Sequence, residues 1–466
     1  MAELEPLYTA DEMRAAEARY PGFPDTAPEL MERAGGLAAQ VARQVFGDAK
    51  RWTVVCGGGS NGGDGRIMAQ HLERAGREVR VVDAASNETE LGDPDVIVDA
   101  LFGTGFSGEP RPDAAALIEQ INDSDAKVFA IDLPSGVDAS TGEVAGAAVR
   151  ADETVTFHAP KVGVILAPGR FHAGTVHVVD IGLDRTETAL RNATVHLLDS
   201  VPHREEGDNK YTAGHVLVVG GSRGLSGAPS LASLAAMRAD AGYVTVAAPE
   251  SILPVLEMRL LEAVKRPLPC DGDGIVTADA ADVVLELAGK ASSIALGPGL
   301  GRGNGPRELV RRVAAEADVP MVVDADALFE LEPADWPAPR VLTPHEGELA
   351  RLLGRDSKDV AAHRLASVRE AAQRFNCIVV LKGPDTLVAE PDGTVRVAAL
   401  GLPSLATAGT GDVLTGVTAA FLAKRMDPPL AALAATVAQQ RASVEAPQRA
   451  GLVAGDLIDA LPRVLR

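Results

Sequence analysis

The chain has few of the residues on which specialised folds depend. Three cysteines in 466 residues, Cys56, Cys270 and Cys377, lie far apart, which excludes a disulfide framework and a CxxC metal site. That usage favours a reducing cytoplasm. Aromatic residues make up 3% of the chain, so its apolar mass is Ala, Val and Leu. Such a mixture suits Val-rich strands buried between Ala-rich helices. No apolar run reaches the roughly 20 residues that a membrane span needs. The opening MAELEPLYTADEMRAAEARY has no signal-like apolar region. A soluble cytoplasmic protein with no membrane partner is expected. Basic charge is short as well: 44 Lys and Arg stand against 65 Asp and Glu, a formal −21 at pH 7. Phosphate polymers are repelled by that surplus, which argues against a nucleic-acid partner but not against a local basic site for one anionic ligand.

What is present is length and rhythm. A chain of 466 residues suits two or three domains, and a hydrophobic fraction of 46% fills sizeable cores. Short apolar runs alternate with amphipathic segments: RWTVVC (51–56), REVRVVDA (77–84), DVIVDALFG (95–103) and AKVFAID (126–132), with RIMAQHLERAG (66–76) and DAAALIEQIND (113–123) between them. That is the βαβ pattern of a mainly parallel sheet. The polar run 197–211 interrupts it, which places a domain boundary near residue 205. A second series follows: HVLVVGG (215–221), GYVTVAA (242–248), SSIALGPG (292–299), PMVVDADA (320–327), PRVLTPH (339–345) and CIVVLKG (377–383). The fold class is α/β, with domains at 1–205 and 206–466.

Chemistry gathers at the strand ends. In CGGGSNGGDG (56–65), Gly57, Gly59 and Gly62 satisfy G-x-G-x-x-G, with Asp83 about 20 residues on. Two readings are open, a dinucleotide site and a tight strand-to-helix turn without ligand. Asp99 ends a buried strand in VDALFGTGFSG (98–108), and Asp132 and Ser135 do so in AIDLPSGVDASTG (130–142). Successive parallel strand ends face one crevice, so Asn61, Asp99, Asp132 and Ser135 are expected to converge. Their amide, carboxylate and hydroxyl oxygens suit a hard monovalent cation, although each acid alone could cap a helix or turn. In the second half, LATAGTGDVLTG (405–416) puts a Gly-Thr-Gly turn before an apolar helix, an anion hole for a transferring phosphoryl group. Asp412 in the first helical turn can take a hydroxyl proton, or can merely cap the helix. Lys382 follows its strand where a nucleotide phosphate could lie. His345, beside Glu346 and Glu348, is either ligand-facing or an ordinary hydrogen-bonded histidine. No Walker A pattern occurs.

MERAGG (31–36), GGGSNGGDG, VDALFGTG, IDLPSGVD and TVTFHAPKVG (154–163) together resemble the NAD(P)H-hydrate epimerase family over nearly all of residues 1–200. From Asn209 onward, NKYTAGHVLVVGGSRGLSGA, GPGLG, DADAL, TPHEGE, LKG and AGTGD resemble ADP-dependent NAD(P)H-hydrate dehydratase of the ribokinase-like superfamily. The resemblance implies two three-layer αβα domains, one Rossmann-like and one ribokinase-like. It implies potassium on Asn61, Asp99 and Ser135. The hydrated NADH or NADPH would touch Ser60, Asn61, Gly62, Gly63 and Asp64, and Asp132. It would also touch Gly103, Thr104, Gly105, Phe106, Ser107, Gly108 and Glu109. Ser60 stands where the family usually has Asn. Lys161 is either an acid/base partner of Asp132 or a phosphate or surface lysine. In the second domain the resemblance implies hydrate contacts from Ala228, Gly299, Gly301, His345 and Asp412. It places ADP, with Mg2+, on Lys382, Gly383, Pro384, Asp385, Thr386 and Gly411. Segment 251–270 departs from the family's Pro-Glu pattern and offers Glu257 or Glu262 instead. The implied activity is epimerisation of hydrated cofactors joined to their ADP-dependent dehydration, in a homo-oligomer. Three rivals stand beside it: a ribokinase-like small-molecule kinase, an N-terminal nucleotide sensor or scaffold without catalysis, and an NAD dehydrogenase resting on the Gly pattern.

Overall fold

Strands rich in Val and Ile, each followed by a glycine-containing turn, assemble into two parallel sheets. The computed structural model describes residues 3–86, 89–448 and 450–465. Contacts divide the chain into two compact units, Pro6–Leu190 and a larger one made of Met1–Glu5 with Arg191–Arg466. The division falls at 190/191 and not near 205. The polar run that suggested 205 begins within a short 3-10 helix, Val195–Ser200, whose Leu197 is buried in the core of the larger unit.

In the smaller unit six parallel strands run in the spatial order Glu78–Asp83, Arg51–Cys56, Val96–Ala100, Lys127–Ile131, Glu153–Phe157, Thr175–Val179. Alternate residues serve opposite faces. Val54, Val98 and Phe129 pack with Ala38, Ala42, Met68 and Leu72 of the helices Ala27–Val45 and Ser60–Arg74. Val55, Ile97 and Val128 pack with Leu117, Ile118 and Ile121 of the helix Pro112–Asn122. The result is three layers. Chain order reverses between Arg51–Cys56 and Val96–Ala100, and the crevice outside such a switch point is where open α/β sheets hold ligands. The two ends of this unit are tied together: Tyr8 Oη accepts from the Thr186 N–H at 2.9 Å and Glu12 Oε1 from the Ala189 N–H at 2.8 Å.

The larger unit carries an eleven-stranded sheet. Its central strands His215–Val219, Tyr243–Pro249, Ser293–Leu296, Met321–Val323, Arg340–Leu342 and Ile378–Leu381 are parallel. Thr386–Ala389 and Val395–Ala398 add antiparallel strands. At one edge lie Leu190–Ala193 and then Leu4–Leu7. The switch point lies between His215–Val219 and Ser293–Leu296. One face is covered by the helices Gly227–Arg238, Thr410–Ala423, Pro428–Glu445 and Ala454–Val464, whose Ala and Val side chains meet Val216, Val218, Val244 and Val322. Among the described residues, no helix is long and apolar enough to cross a membrane.

Candidate active sites

At the switch point of the smaller sheet, glycine is required by close approach. A Cβ on Gly57 would collide with the Leu101 carbonyl, and one on Gly62 with the Gly57 carbonyl. Gly57 and Gly62 of the pattern are thus required by packing, whereas Gly59 has open space around it, and Asp83 forms an ion pair with Arg66 at 2.6 Å. Ser60 to Asp64 form the first turns of the helix Ser60–Arg74.

Ser135 bonds Asp99 and shares the Phe102 carbonyl with Asn61. Asp99, fully buried, accepts from the Ser135 hydroxyl at 2.6 Å, from the Ser135 N–H at 2.7 Å and from the Leu101 N–H at 3.2 Å. The Asn61 amide donates to the Phe102 carbonyl at 2.9 Å, which leaves Asn61 Oδ1 buried without a partner. Burial pushes the Asp99 carboxyl up to about 6 against the pull of its hydrogen bonds. The orphaned Asn61 oxygen, the Ser135 hydroxyl and the buried Asp99 carboxylate are oxygen donors of the kind that could hold a hard cation.

The Asp132 carboxylate bonds to other partners, Lys161 and Thr156. Asp132 ends its strand at φ 69°, in the left-handed region, and its carboxylate pairs with Lys161 Nζ at 2.6 Å. Lys161 is fully buried and also donates to Thr156 Oγ1 at 3.2 Å and the Phe157 carbonyl at 2.7 Å. The reading of Lys161 as a surface lysine is thereby overturned. Two further carboxyls bear on this pair. Asp64 is pushed up to about 8 by burial and then by the charges of Asp132 and Glu17. Glu17, last residue of the helix Ala10–Glu17, is raised by burial and then by Asp132. Sequence reasoning missed Glu17, which belongs to no glycine-rich turn. The loop Gly103–Glu109 frames the crevice, with Gly105, Ser107, Gly108 and Glu109 exposed and Phe106 stacked on Phe102 at 4.7 Å.

In the larger unit the Gly-Thr-Gly turn is locked from behind. Thr410 Oγ1 donates to the Thr407 and Leu405 carbonyls at 2.9 and 3.0 Å, and Gln439 Nε2 donates to the Thr410 carbonyl. Gly409 has φ 89° and its Cβ would press on Leu231, so no other residue fits there. In the first turn of the helix Thr410–Ala423 the Thr410 N–H bonds back to the Thr407 carbonyl at 3.4 Å, and the next amides, of Gly411 and Asp412, are the ones available to a ligand. Asp412 is not the cap: the N-cap is Gly409, and no hydrogen bond reaches the Asp412 carboxylate among the described residues. Burial, then the charge of Asp324, pushes it up to about 7, against the pull of Lys382.

Lys382 Nζ lies 2.8 Å from Asp324 Oδ1 and 3.9 Å from Glu348 Oε2. The second oxygen of Asp324 accepts from Thr415 Oγ1 at 2.7 Å. A Cβ on Gly411 would stand 3.4 Å from Lys382 Nζ, so Gly411 and Lys382, both expected at the nucleotide, adjoin. Of the other residues expected at the nucleotide, Gly383 and Pro384 are exposed, while Asp385 and Thr386 are buried. The Asp385 carboxylate faces the buried Arg364 at 3.6 Å, so this pair can offer a ligand only backbone. Ala228, Gly299 and Gly301 come together around Ser222, and the Gly301 N–H donates to Asp326 at 3.0 Å. His345 Nδ1 accepts from the Gly347 N–H at 3.0 Å while Glu348 accepts from the His345 N–H at 2.9 Å. An accepting Nδ1 leaves the proton on Nε2, which lies 3.5 Å from Glu348 Oε1. His345 is therefore the cap of its helix, with its ring exposed beside Glu348. Glu257 and Glu262 are exposed.

Residues 216–463 match the family model described as NAD(P)H-hydrate dehydratase, and residues 27–93 and 82–163 match the YjeF-related protein N-terminus. The bifunctional NAD(P)H-hydrate repair enzyme of Salinibacter ruber is 38% identical, over 98% of this chain and 96% of its own. That of Moorella thermoacetica is 37% identical, over 94% of this chain and 92% of its own. Among solved structures, an ADP/ATP-dependent NAD(P)H-hydrate dehydratase from Bacillus subtilis, co-crystallised with ATP/Mg2+, is similar at 31% identity and a TM-score of 0.51, covering 58% of this chain and 95% of that one. A ribokinase-like superfamily protein from Enterococcus faecalis shares the fold at 22% identity and a TM-score of 0.52, covering 60% of this chain and 97% of that one.

Proposed function

Because the chain belongs to the bifunctional NAD(P)H-hydrate repair enzymes, we propose that its two crevices act in turn on one damaged cofactor pool. The enzyme epimerises the R and S hydrates of NADH and NADPH and dehydrates the S hydrate with a nucleotide. The observation that carries the reading is the pairing of two strand-end crevices in one chain, each built around a carboxyl held at unusually high pKa. We assign epimerisation to the smaller unit and dehydration to the larger.

In the hydrate, water has added across a ring double bond and left a hydroxyl that departs poorly. Asp412 takes the hydroxyl proton as the oxygen attacks the terminal phosphorus of ADP, and AMP leaves. The Gly411 and Asp412 amides and Lys382 hold the charge that spreads over the transferring group. Magnesium arrives with the nucleotide as part of the substrate. Phosphate then departs from the ring as the ring nitrogen pushes in its electrons, and loss of a neighbouring carbon proton restores the double bond. Ala228, Gly299, Gly301 and His345 would hold the hydrate. In the smaller unit Lys161 and Asp132 would give and take a proton at the hydroxyl oxygen as it leaves as water, pushed by the ring nitrogen, and as water re-adds to the other face, with Ser60 to Asp64 and Gly103 to Glu109 around the nucleotide.

The test is one incubation of the full chain with MgADP and a mixed-epimer hydrate. Complete recovery of reduced-nicotinamide absorbance in a single phase, with equal AMP and phosphate released, is expected. A stable phosphorylated product without absorbance recovery would instead make the larger unit a kinase.

Potassium fits the Asn61, Asp99 and Ser135 trio because it would satisfy the orphaned Asn61 Oδ1 and neutralise Asp99. Its chemistry there is electrostatic, anchoring the glycine turns that frame the crevice. Wild type is expected to unfold at higher temperature in KCl than in choline chloride of equal ionic strength. Asp99→Asn should lose that difference and lose epimerisation, with dehydration intact. A potassium effect that survives in Asp99→Asn would remove the trio as its site.

A further inference from the structure

Asp324 is placed at a junction that none of the comparisons assigns. Its strand, Met321–Val323, is central in the larger sheet, and the Asp324 N–H donates at 3.0 Å to the carbonyl of Leu296 on the neighbouring strand, which borders the switch point. The side chain is 2% exposed. One carboxylate oxygen holds Lys382, and the other accepts from Thr415, one helical turn beyond Asp412. The strand ends of Met321–Val323 and Ile378–Leu381 are thereby linked to the helix that carries the anion hole.

We infer that Asp324 is a positioning residue of the dehydration step: it fixes Lys382 beneath the Gly-Thr-Gly turn and supplies the fixed negative charge beside which Asp412 works. The physical reason lies in opposing effects on two neighbours. Beside Lys382, the charge of Asp324 fastens the ammonium group but cancels part of its attraction for phosphate. Beside Asp412 it disfavours ionisation, and so makes that carboxylate a stronger base for a hydroxyl proton. The charged groups acting on Asp412 are Asp324, Lys382 and Asp326, and Glu348 faces Lys382. The neighbouring helices Gly227–Arg238 and Pro428–Glu445 carry charge only at Arg238, Arg441 and Glu445. Asp456, on the helix beside Gly409, is turned to its own cap, accepting from the Val453 N–H at 2.9 Å. Among these groups, Asp324 raises the proton affinity of Asp412 most, after burial.

The inference rests on Asp412 as the base, and that reading fails separately if the wild-type dehydration profile has no acid limb near pH 7. Given that limb, Asp324→Asn in the full chain should move it down by about one pH unit. The plateau rate should fall, because the base is weaker, and ADP should bind more tightly to the uncompensated Lys382. Asp324→Glu keeps the charge but shifts Lys382, so its limb should stay while its rate falls and its KM for ADP rises. Asp324→Ser, neutral and smaller, carries the same expectation as Asn should Asn fold poorly. A folded neutral variant whose limb does not move would overturn the inference. So would failure of both neutral variants to fold while Asp324→Glu folds, since Asp324 would then be a structural residue.

Discussion

Dehydration by Asp412→Asn is expected to fall by about 10²–10⁴, the usual contribution of a positioned base, while epimerisation, folding and ADP binding stay near wild type. Asn matches Asp in size, and the helix loses no cap because Gly409 occupies that position. What disappears is the oxygen that accepts the hydroxyl proton. The wild-type rate should rise with pH through about 7, because burial and Asp324 keep the carboxyl protonated below that value and only its ionised form is a base. An Asn variant within a few-fold of wild type would take Asp412 out of the mechanism. A wild-type rate flat between pH 5 and 8 would do the same for its titration.

The second large effect is expected at Lys161. Lys161→Met leaves Asp132 without its partner at 2.6 Å in a nearly closed site. Breaking one side of a buried pair costs about 3–5 kcal/mol, so the smaller unit should unfold well before the larger in a thermal scan. Epimerisation should be lost, and full-length enzyme given a mixed hydrate should show a fast phase for one epimer followed by slow, spontaneous conversion of the other. Folded enzyme with single-phase conversion would exclude Lys161 from the chemistry. Asp64 adds a pH signature with the opposite sign to that of Asp412. Burial and neighbouring carboxylates hold its proton up to about pH 8. If the protonated form serves the reaction, epimerisation should decline as pH climbs through 8.

The central strands were legible because a parallel strand buried on both faces reads as an uninterrupted apolar run. Edge strands were not. Val264–Leu268 contains Lys265, Arg266 and Pro267, residues tolerated only where one side of a strand faces water, so its composition resembles a loop. The site residues on glycine-rich strand ends were legible for a local reason, since backbone approach and left-handed turns demand glycine in the sequence itself. The charge states were not. Lys161 is buried because Thr156, Phe157 and Asp132 enclose it, and nothing next to it in the chain distinguishes it from a solvated lysine. Asp324 lies within the DADAL motif, but its importance comes from Lys382 and Thr415, 58 and 91 positions away.

The interrupted larger unit bears on how the polypeptide folds as it is made. Leu4–Leu7 is made as the chain enters the smaller unit, and its neighbour Leu190–Ala193 only as the chain leaves it. Joining these strands across an unstructured loop would carry the entropy cost of closing a very long ring. Early domains fold during synthesis, and here Tyr8 reaches Thr186 and Glu12 reaches Ala189 within the first of them. Folding of that domain brings the two strands side by side before most of the larger sheet exists, so the nascent chain presents a ready edge on which the remaining strands assemble.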